Sequence, residues 1–327
     1  MESPLLKSPG AVPADAPDQE VAAHYGEPAQ EQRALERGGA FVDRSDRGVV
    51  RVSGPDRLSW LHSLLSQSLD GLKPHEPTEA LLLSPNGHIE HHLSLVDDGE
   101  AVWAHVEPGA APSLVEFLDR MRFMLRVEVE DVSADYMVVT GPPVGEGLRW
   151  PDVAGTETRI VRRADGFPEG LRPAGLWAYE ALRIAAHRPR FGVDTDHKTI
   201  PHEVGLIESA VHLNKGCYRG QETVARVHNL GRPPRRLVFL HLDGSVDRLP
   251  AHGDPVEIPG GRAVGTVGSA ARHHELGPVA LALVKRNVPV DVELLAGGVA
   301  AAQEVVVSPD TGANAQIDLR RRPANRG

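Results

Sequence analysis

Hydrophobic positions along this chain change their period several times, and each change predicts an element. Val49-Val50-Arg51-Val52-Ser53 reads as a strand that Gly54-Pro55-Asp56 turns. Leu58, Leu61, Leu64 and Leu65 recur at helical spacing and predict a helix over 57–65. A strand follows over 80–84, then Pro85-Asn86-Gly87, whose Asn-Gly pair favours a hairpin, then a return strand over 88–96. Asp97-Asp98-Gly99 turns the chain into a strand over 101–106. Leu114, Phe117, Leu118 and Met121 share one face of a predicted helix, 110–123. Strands over 125–129 and 135–140 come next, then a Gly/Pro-rich join over 141–145, a strand over 158–161 and a helix over 176–186. From Arg236 onward the pattern is short apolar runs between turns: 237–242, 255–258, 263–267, 279–284, 292–295 and 304–307. That rhythm predicts a small β-barrel or sandwich.

The fold class is therefore α+β, with mixed elements first and an all-β unit last. The expected division is a body in two parts, 38–140 and 141–234, and a C-terminal β-unit, 235–309. Before it, 1–37 carries Pro4, Pro9, Pro13, Pro17 and Pro28 with scattered acids and reads as a disordered extension. After it, 310–327 ends in a basic run and reads as a flexible tail.

Composition narrows the function classes. The 327 residues are 41% hydrophobic but only 4% aromatic, so aliphatic side chains must build the core. A net charge of −10 argues against a general nucleic-acid partner, because neutralising phosphates needs a basic surface. No apolar run approaches the length of a membrane span, and no signal or transit pattern opens the chain, so no membrane partner and a cytoplasmic location are expected. A single cysteine excludes an intrachain disulfide and a cysteine-caged metal, and suits a reducing compartment.

That cysteine is where chemistry concentrates. In Lys215-Gly216-Cys217-Tyr218-Arg219-Gly220-Gln221-Glu222 two glycines flank the thiol, as a tight turn presenting it would require. The run after Gly220 opens either a helix or a strand. A helix there would put Cys217 before an N-terminus, where the dipole favours a thiolate, and Lys215 and Arg219 would act in the same direction. The alternative is a cysteine that fills space as a small buried hydrophobe.

The same eight residues resemble the K-G-C-Y-x-G-Q-E motif of the YgfZ family, folate-binding proteins of iron–sulfur cluster assembly or repair that are similar to the glycine-cleavage T-protein. Glu180-Ala181-Leu182-Arg183-Ile184, Pro201-His202-Glu203 with Gly205-Leu206, and the run Ala280 to Arg286 resemble flanking segments, and the likeness spans about 39–307. It implies a T-protein-like folate-binding body of mixed antiparallel sheets with helices, capped by a small β-barrel, around a central hole. It implies tetrahydrofolate or a related reduced folate as cofactor, and iron–sulfur client or assembly proteins as partners. Cys217 with Lys215, Tyr218, Arg219 and Gln221 would carry the chemistry. Arg183, Glu203, Glu222, Arg226 and Glu90 would line the folate site, since a guanidinium fork suits a pterin edge or a carboxylate. His228, Arg232, Arg235 and Arg236 would be a solvated loop or a cradle for the folate's anionic tail.

One departure matters. T-proteins resemble the hairpin 86–92 with G-G-x-x-D-D, whose aspartate supports aminomethyl transfer. Glu90-His91 stands there, which puts that reaction in doubt. His88, His91 and His92 do not make a metal site on a strand, where His91 and His92 point to opposite faces. Three functions remain: an iron–sulfur accessory protein that uses Cys217, a folate-dependent aminomethyltransferase or demethylase, and a binder of another flat heteroaromatic such as a flavin or deazaflavin.

Overall fold

A computed structural model describes residues 2–143 and 147–314. The strands in chain order are β1 Val12–Pro13, β2 Ala22–His24, β3 Ala40–Asp43, β4 Gly48–Ser53, β5 Pro77–Leu83, β6 Ile89–Asp97, β7 Ala101–Val106, β8 Glu128–Asp131 and β9 Tyr136–Gly141. They continue as β10 Arg149–Pro151, β11 Glu157–Arg162, β12 Arg172–Ala174, β13 Arg235–Leu242, β14 Pro255–Glu257, β15 Ala263–His273, β16 Gly277–Lys285, β17 Leu294–Ala296 and β18 Val299–Val305. The helices are α1 Pro28–Glu36, α2 Arg57–Leu64, α3 Ala111–Met121, α4 Leu176–Ala185, the single turn α5 Ile207–Ala210, and α6 Gln221–Asn229.

Two five-stranded sheets form the body. One runs β5-β6-β7-β4-β8 and is covered by α2 and α3 over a core of Leu61, Leu65, Leu82, Leu93, Leu95 and Leu114. The other runs β10-β11-β9-β3-β12 and joins parallel only at β3–β12. Val49, Trp103, Val138, Trp150 and Ile160 fill the space between the sheets. The C-terminal unit is a closed barrel, β13-β16-β15-β14-β17-β18. Strand β13 shows why it reads as continuously apolar. Val238 and Leu240 point into the barrel, while Leu237 and Phe239 point into a central core shared with Leu81, Leu83, Ala181 and Ile184. Alternate residues serve two interiors, so both faces must be hydrophobic.

The boundaries moved where sequence pattern met tertiary contact. The strand expected over 125–129 starts at Glu128, because 122–125 form an exposed turn closed by the Leu125 N–H to Arg122 O bond of 2.9 Å. The last strand ends at Val305, and Val306 and Val307 pack into the central core instead. Residues 144–146 of the expected join and 315–327 of the expected tail lie outside the described residues.

The larger correction is at the N-terminus, which is folded rather than a disordered extension. Val21 and Ala23 are buried with Leu35, Leu176 and Ala178. Asp18 holds Arg190 through two hydrogen bonds, at 2.5 and 2.8 Å, across 172 positions of sequence. The prolines that suggested disorder serve as helix starts, Pro4 for a short 3₁₀ turn and Pro28 for α1, where a missing N–H costs nothing. Deleting residues 2–24 should therefore lower unfolding free energy by roughly 3–5 kcal/mol, the scale for breaking a buried ion pair, and denaturant unfolding measures it. A disordered extension would leave the midpoint where it is.

Candidate functional site

The Cys217 loop is exposed at its tip and anchored at its base. Cys217 is a free, exposed thiol, and the helix expected after it is α6, starting at Gln221. Gly220 caps α6 with φ of +84°, and a Cβ there would meet Ser84 O at 2.6 Å and Leu83 Cβ at 3.0 Å. Only glycine lets the loop sit this close to the β5–β6 turn. Gly87 of that turn, φ +76°, has Thr223 of α6 against it in the same way.

Lys215 is buried, and its ammonium donates to the carbonyls of His62, Leu65 (2.5 Å) and Gln67 (3.2 Å), capping the C-terminal end of α2. Burial pushes its pKa down to about 8. The buried Tyr218 ring lies 5.0 Å from the ammonium, and burial raises its hydroxyl to about 12. Gln221 donates to Lys215 O at 3.3 Å and closes the loop on itself. Arg219 pairs with Glu90 at 2.5 Å and lies 5.2 Å over the Phe117 ring. Both cations are therefore engaged by partners within the fold, and Lys215 and Arg219 position the loop.

The residues expected to hold folate are dispersed. The Arg183 guanidinium is buried, and its five hydrogen bonds go to Glu180 (two), Asp194, Ser269 and the Arg188 carbonyl, which matches its donor count. It cements α4 to the barrel and lines a polar cavity, with its donors engaged by these protein groups. Glu203 is buried, accepts from Ile200 N at 3.1 Å, and pairs with Arg235. Glu222 and Arg226 form an exposed pair one turn apart on α6. The expected anionic cradle is also absent: Arg235 is taken by Glu203 and Asp196, Arg232 by Asp310, and Arg236 is buried at the barrel, where it donates to Val288 O and Gln303.

A polar cavity of about 360 Å³ opens instead between the two sheets, α4 and the segment 188–190. Its wall includes Arg44, Glu79, His92, Asp152, Tyr179 and Arg188. Arg44 stacks 4.0 Å above the Tyr179 ring, and its Nε–H is buried with no partner. Glu79 accepts from Arg188 at 2.7 Å and bonds His92 at 3.2 Å, and these partners hold its carboxyl down at about 2 despite its burial. His105 at the floor is kept neutral by burial and by the neighbouring Arg47 and Arg44. A second, larger and mainly apolar cavity, about 970 Å³, lies between the N-terminal segment, α4 and the barrel. Glu107 and Arg190 line both cavities, so their 2.8 Å ion pair stands at the boundary.

Strand β6 ties these places together. Glu90, at a bulge in the β5–β6 ladder, grips the Cys217 loop. His91 packs against Phe191 of the apolar cavity, with ring centroids 6.5 Å apart. His92 lines the polar cavity. Of the cavity arginines only Arg183 was expected at a site from sequence; Arg44, Arg47, Arg188 and Arg190 were not, because they are scattered over separate segments. The only local cue was the dense Arg188-Pro189-Arg190 run.

Among the described residues, Glu36, His273 and His274 are close enough to hold an ion. His273 Nδ1 already accepts the N–H groups of Glu275 and Leu276, so its neutral ring carries the proton on Nε2, which works against ligation. No helix of the described residues is long and apolar enough to cross a membrane.

No family model matches the chain. Among curated proteins it is 26% identical to an aminomethyltransferase of Symbiobacterium thermophilum, over 89% of this chain and 91% of that one. It is 28% identical to the mitochondrial iron–sulfur cluster assembly factor IBA57 homolog of Mycosarcoma maydis, over 59% of this chain and 55% of that one. It is 26% identical to the putative chloroplastic transferase At1g60990 of Arabidopsis thaliana, over 64% of this chain and 57% of that one. The match spans little more than half the length of these last two relatives. Among solved structures, the glycine cleavage aminomethyltransferase T of Bartonella henselae superposes with a TM-score of 0.77 at 19% identity, over 92% of this chain and 94% of that one. That likeness shows the fold.

His202 gives the support of this loop a pH dependence. It is buried next to Glu203 in the 3₁₀ turn against which α6 packs, and neither ring nitrogen has a partner. Burial, then the neighbouring His228, pulls its pKa from 6.5 to about 4. The unfolded chain binds this proton below pH 6.5 and the folded one only below about 4. The neutral ring's contribution is complete above pH 6.5 and is lost as pH falls from 6.5 to about 4, on the order of 3 kcal/mol. Urea unfolding at pH 7 and pH 4.5 should show a fall that His202→Phe removes.

Proposed function

We propose that this chain, which belongs with the aminomethyltransferase-like proteins that also include iron–sulfur assembly factors, is a reduced-folate-binding accessory protein of iron–sulfur cluster assembly or repair, with Cys217 as its reacting group. The observation that carries the reading is an exposed thiol on a loop fixed at its base by Lys215, Arg219 and Gly220. A cysteine that filled space would be buried, and one meant only to be soluble would need no such anchoring. A single thiolate cannot hold a cluster, which takes about four such ligands. Cys217 therefore acts with ligands from a client, as a transient ligand or redox thiol, in a reducing compartment such as the cytoplasm.

The polar cavity suits a pterin in kind. Its volume falls within the ordinary range for a ligand site of about 300–1,000 Å³. Glu79 and Asp152 offer acceptors for the ring's amino edge, the unpartnered Arg44 Nε–H offers a donor, and Trp150 adds an aromatic wall. A reduced folate bound there would supply an oxidisable ring. The chain's own groups would orient it and keep it from bulk water.

A second reading, folate-dependent aminomethyl transfer, is favoured by the near full-length match to aminomethyltransferases. Against it, the Glu90 carboxylate at the altered acidic pair is engaged by Arg219 and serves as a tether rather than as a charge facing substrate. Two measurements divide the readings. Cys217→Ser should fold, bind tetrahydrofolate as the parent does by calorimetry, and fail to restore cluster-dependent enzyme activity in cells that lack this protein. Restoration at the parental level would remove Cys217 from the function. With the other glycine-cleavage components, turnover that disappears in Glu90→Gln would establish the transferase instead.

A further inference from the structure

We propose that the turn Phe123-Met124-Leu125 is the docking knob through which a protein partner, carrying an apolar pocket with a basic rim and its own metal-ligating thiols, is seated over Cys217. This rests on Cys217 being the reacting group.

The knob is costly to the chain that carries it. Phe123 and Met124 are 86% and 98% exposed, adjacent large apolar side chains that are left uncovered among the described residues. Phe123 also adopts φ of +48°, a left-handed conformation that a bulky residue takes only under constraint. The constraint is visible: Leu125 N–H bonds Arg122 O at 2.9 Å, and the Trp60 indole N–H bonds Met121 O at 3.2 Å. The backbone of the turn is held by these bonds and presents both side chains outward, and Phe and Met are residues that fill partner pockets.

The position of the knob points to the thiol. Phe117, on the same helix α3, lies under Arg219, two residues from Cys217. The four helical steps from Phe117 to Met121 rise about 6 Å and two turn residues follow to Phe123, so the knob and the thiol are on the order of 20 Å apart. A standard interface of about 800 Å² per partner is roughly 30 Å across and covers both. Leu213, four residues before Cys217, is exposed as well.

The rim charge selects the class of partner. Each arginine around the knob is already matched by an acid of this chain: Arg126 by Asp56, Arg122 by Asp119, Arg120 by Glu116 and Arg51 by Glu130. Glu128 and Asp131 remain without a cation among the described residues. Among the described residues the charge around the knob is therefore negative on balance and complementary to a basic rim, on a chain of net charge −10.

The test uses the full chain with Phe123→Asn and Met124→Ser together, since asparagine tolerates the left-handed backbone. A photo-crosslinking amino acid at position 124 and disulfide trapping at Cys217 are then run in separate samples, in cells. The expected result is one and the same thiol-rich protein at both positions. In the double variant, Cys217 trapping of that protein should fall at least about tenfold, with unchanged thermal unfolding and unchanged Cys217 alkylation rate. Different proteins at the two positions, or unchanged trapping in the double variant, would overturn the proposal. So would co-sedimentation of the parent with phosphatidylcholine–phosphatidylglycerol vesicles that the variant loses, which assigns the knob to a membrane, or a self-association that the variant loses, which assigns it to a second copy. If Cys217→Ser keeps full function in cells, the reading of the thiol has failed. If that variant is inactive while the knob variant is fully active, only the docking has failed.

Discussion

Buried arginines hold the parts of this molecule in register. Arg190 takes Asp18 from the N-terminal segment and Glu107 from the strand-end loop after β7. Arg183 takes Glu180 from its own helix, Asp194 from the following loop and Ser269 from the barrel. Arg47 joins Glu107 to His105. Desolvating so many charges is expensive, and the network holds only because every member has partners; removing one leaves the others buried and uncompensated. The pKa directions agree: attraction from Arg47 and Arg190 outweighs the burial of Glu107 and keeps its carboxyl well below the usual range. What this costs in stability it returns as geometry, since the same groups wall the polar cavity and divide it from the apolar one.

The Cys217 loop applies the opposite economy. Its charges are placed so that the reacting atom is exposed while everything around it is fixed. Lys215 gives up most of its water to satisfy carbonyls left open at the end of α2, groups that a helix terminus must otherwise leave to solvent. Glycine does the rest, because no side chain fits between Gly220 and Ser84 O. Local sequence chemistry placed the cations beside the sulfur and inferred electrostatic activation; the fold engages both with other partners and makes them struts.

This difference marks how far the sequence could be read. Periodic elements such as α3, α4 and the β5–β6 hairpin were legible because their signal is local and repeated, and the Cys217 turn because glycines around a lone thiol have few other uses. The folding of residues 2–24 was not legible: Val21 and Ala23 find their partners on α1 and α4, and a short proline-rich stretch carries no sign of a surface elsewhere that will bury it. The cavity was not legible for the same reason. Arg44, Glu79, Asp152 and Arg188 belong to four separate segments, and only the stacking of two sheets against α4 makes them neighbours. Arg183 was expected at the folate site, and it does line the polar cavity. It was noticed as a guanidinium at a family position, but availability depends on how many of its donors the fold has already engaged.

Glu90 brings these strands of reasoning to one atom pair. A carboxylate does acid–base or electrostatic work only if it faces the reacting group with lone pairs to offer. At this position the carboxylate faces Arg219 instead, so its charge is neutralised and its geometry is fixed. What the bulge in β6 gains is a link from the loop that carries Cys217 to a strand whose next two residues are His91, packed against Phe191, and His92, which lines the polar cavity. Removing Glu90 would therefore loosen the loop before it altered any proton transfer.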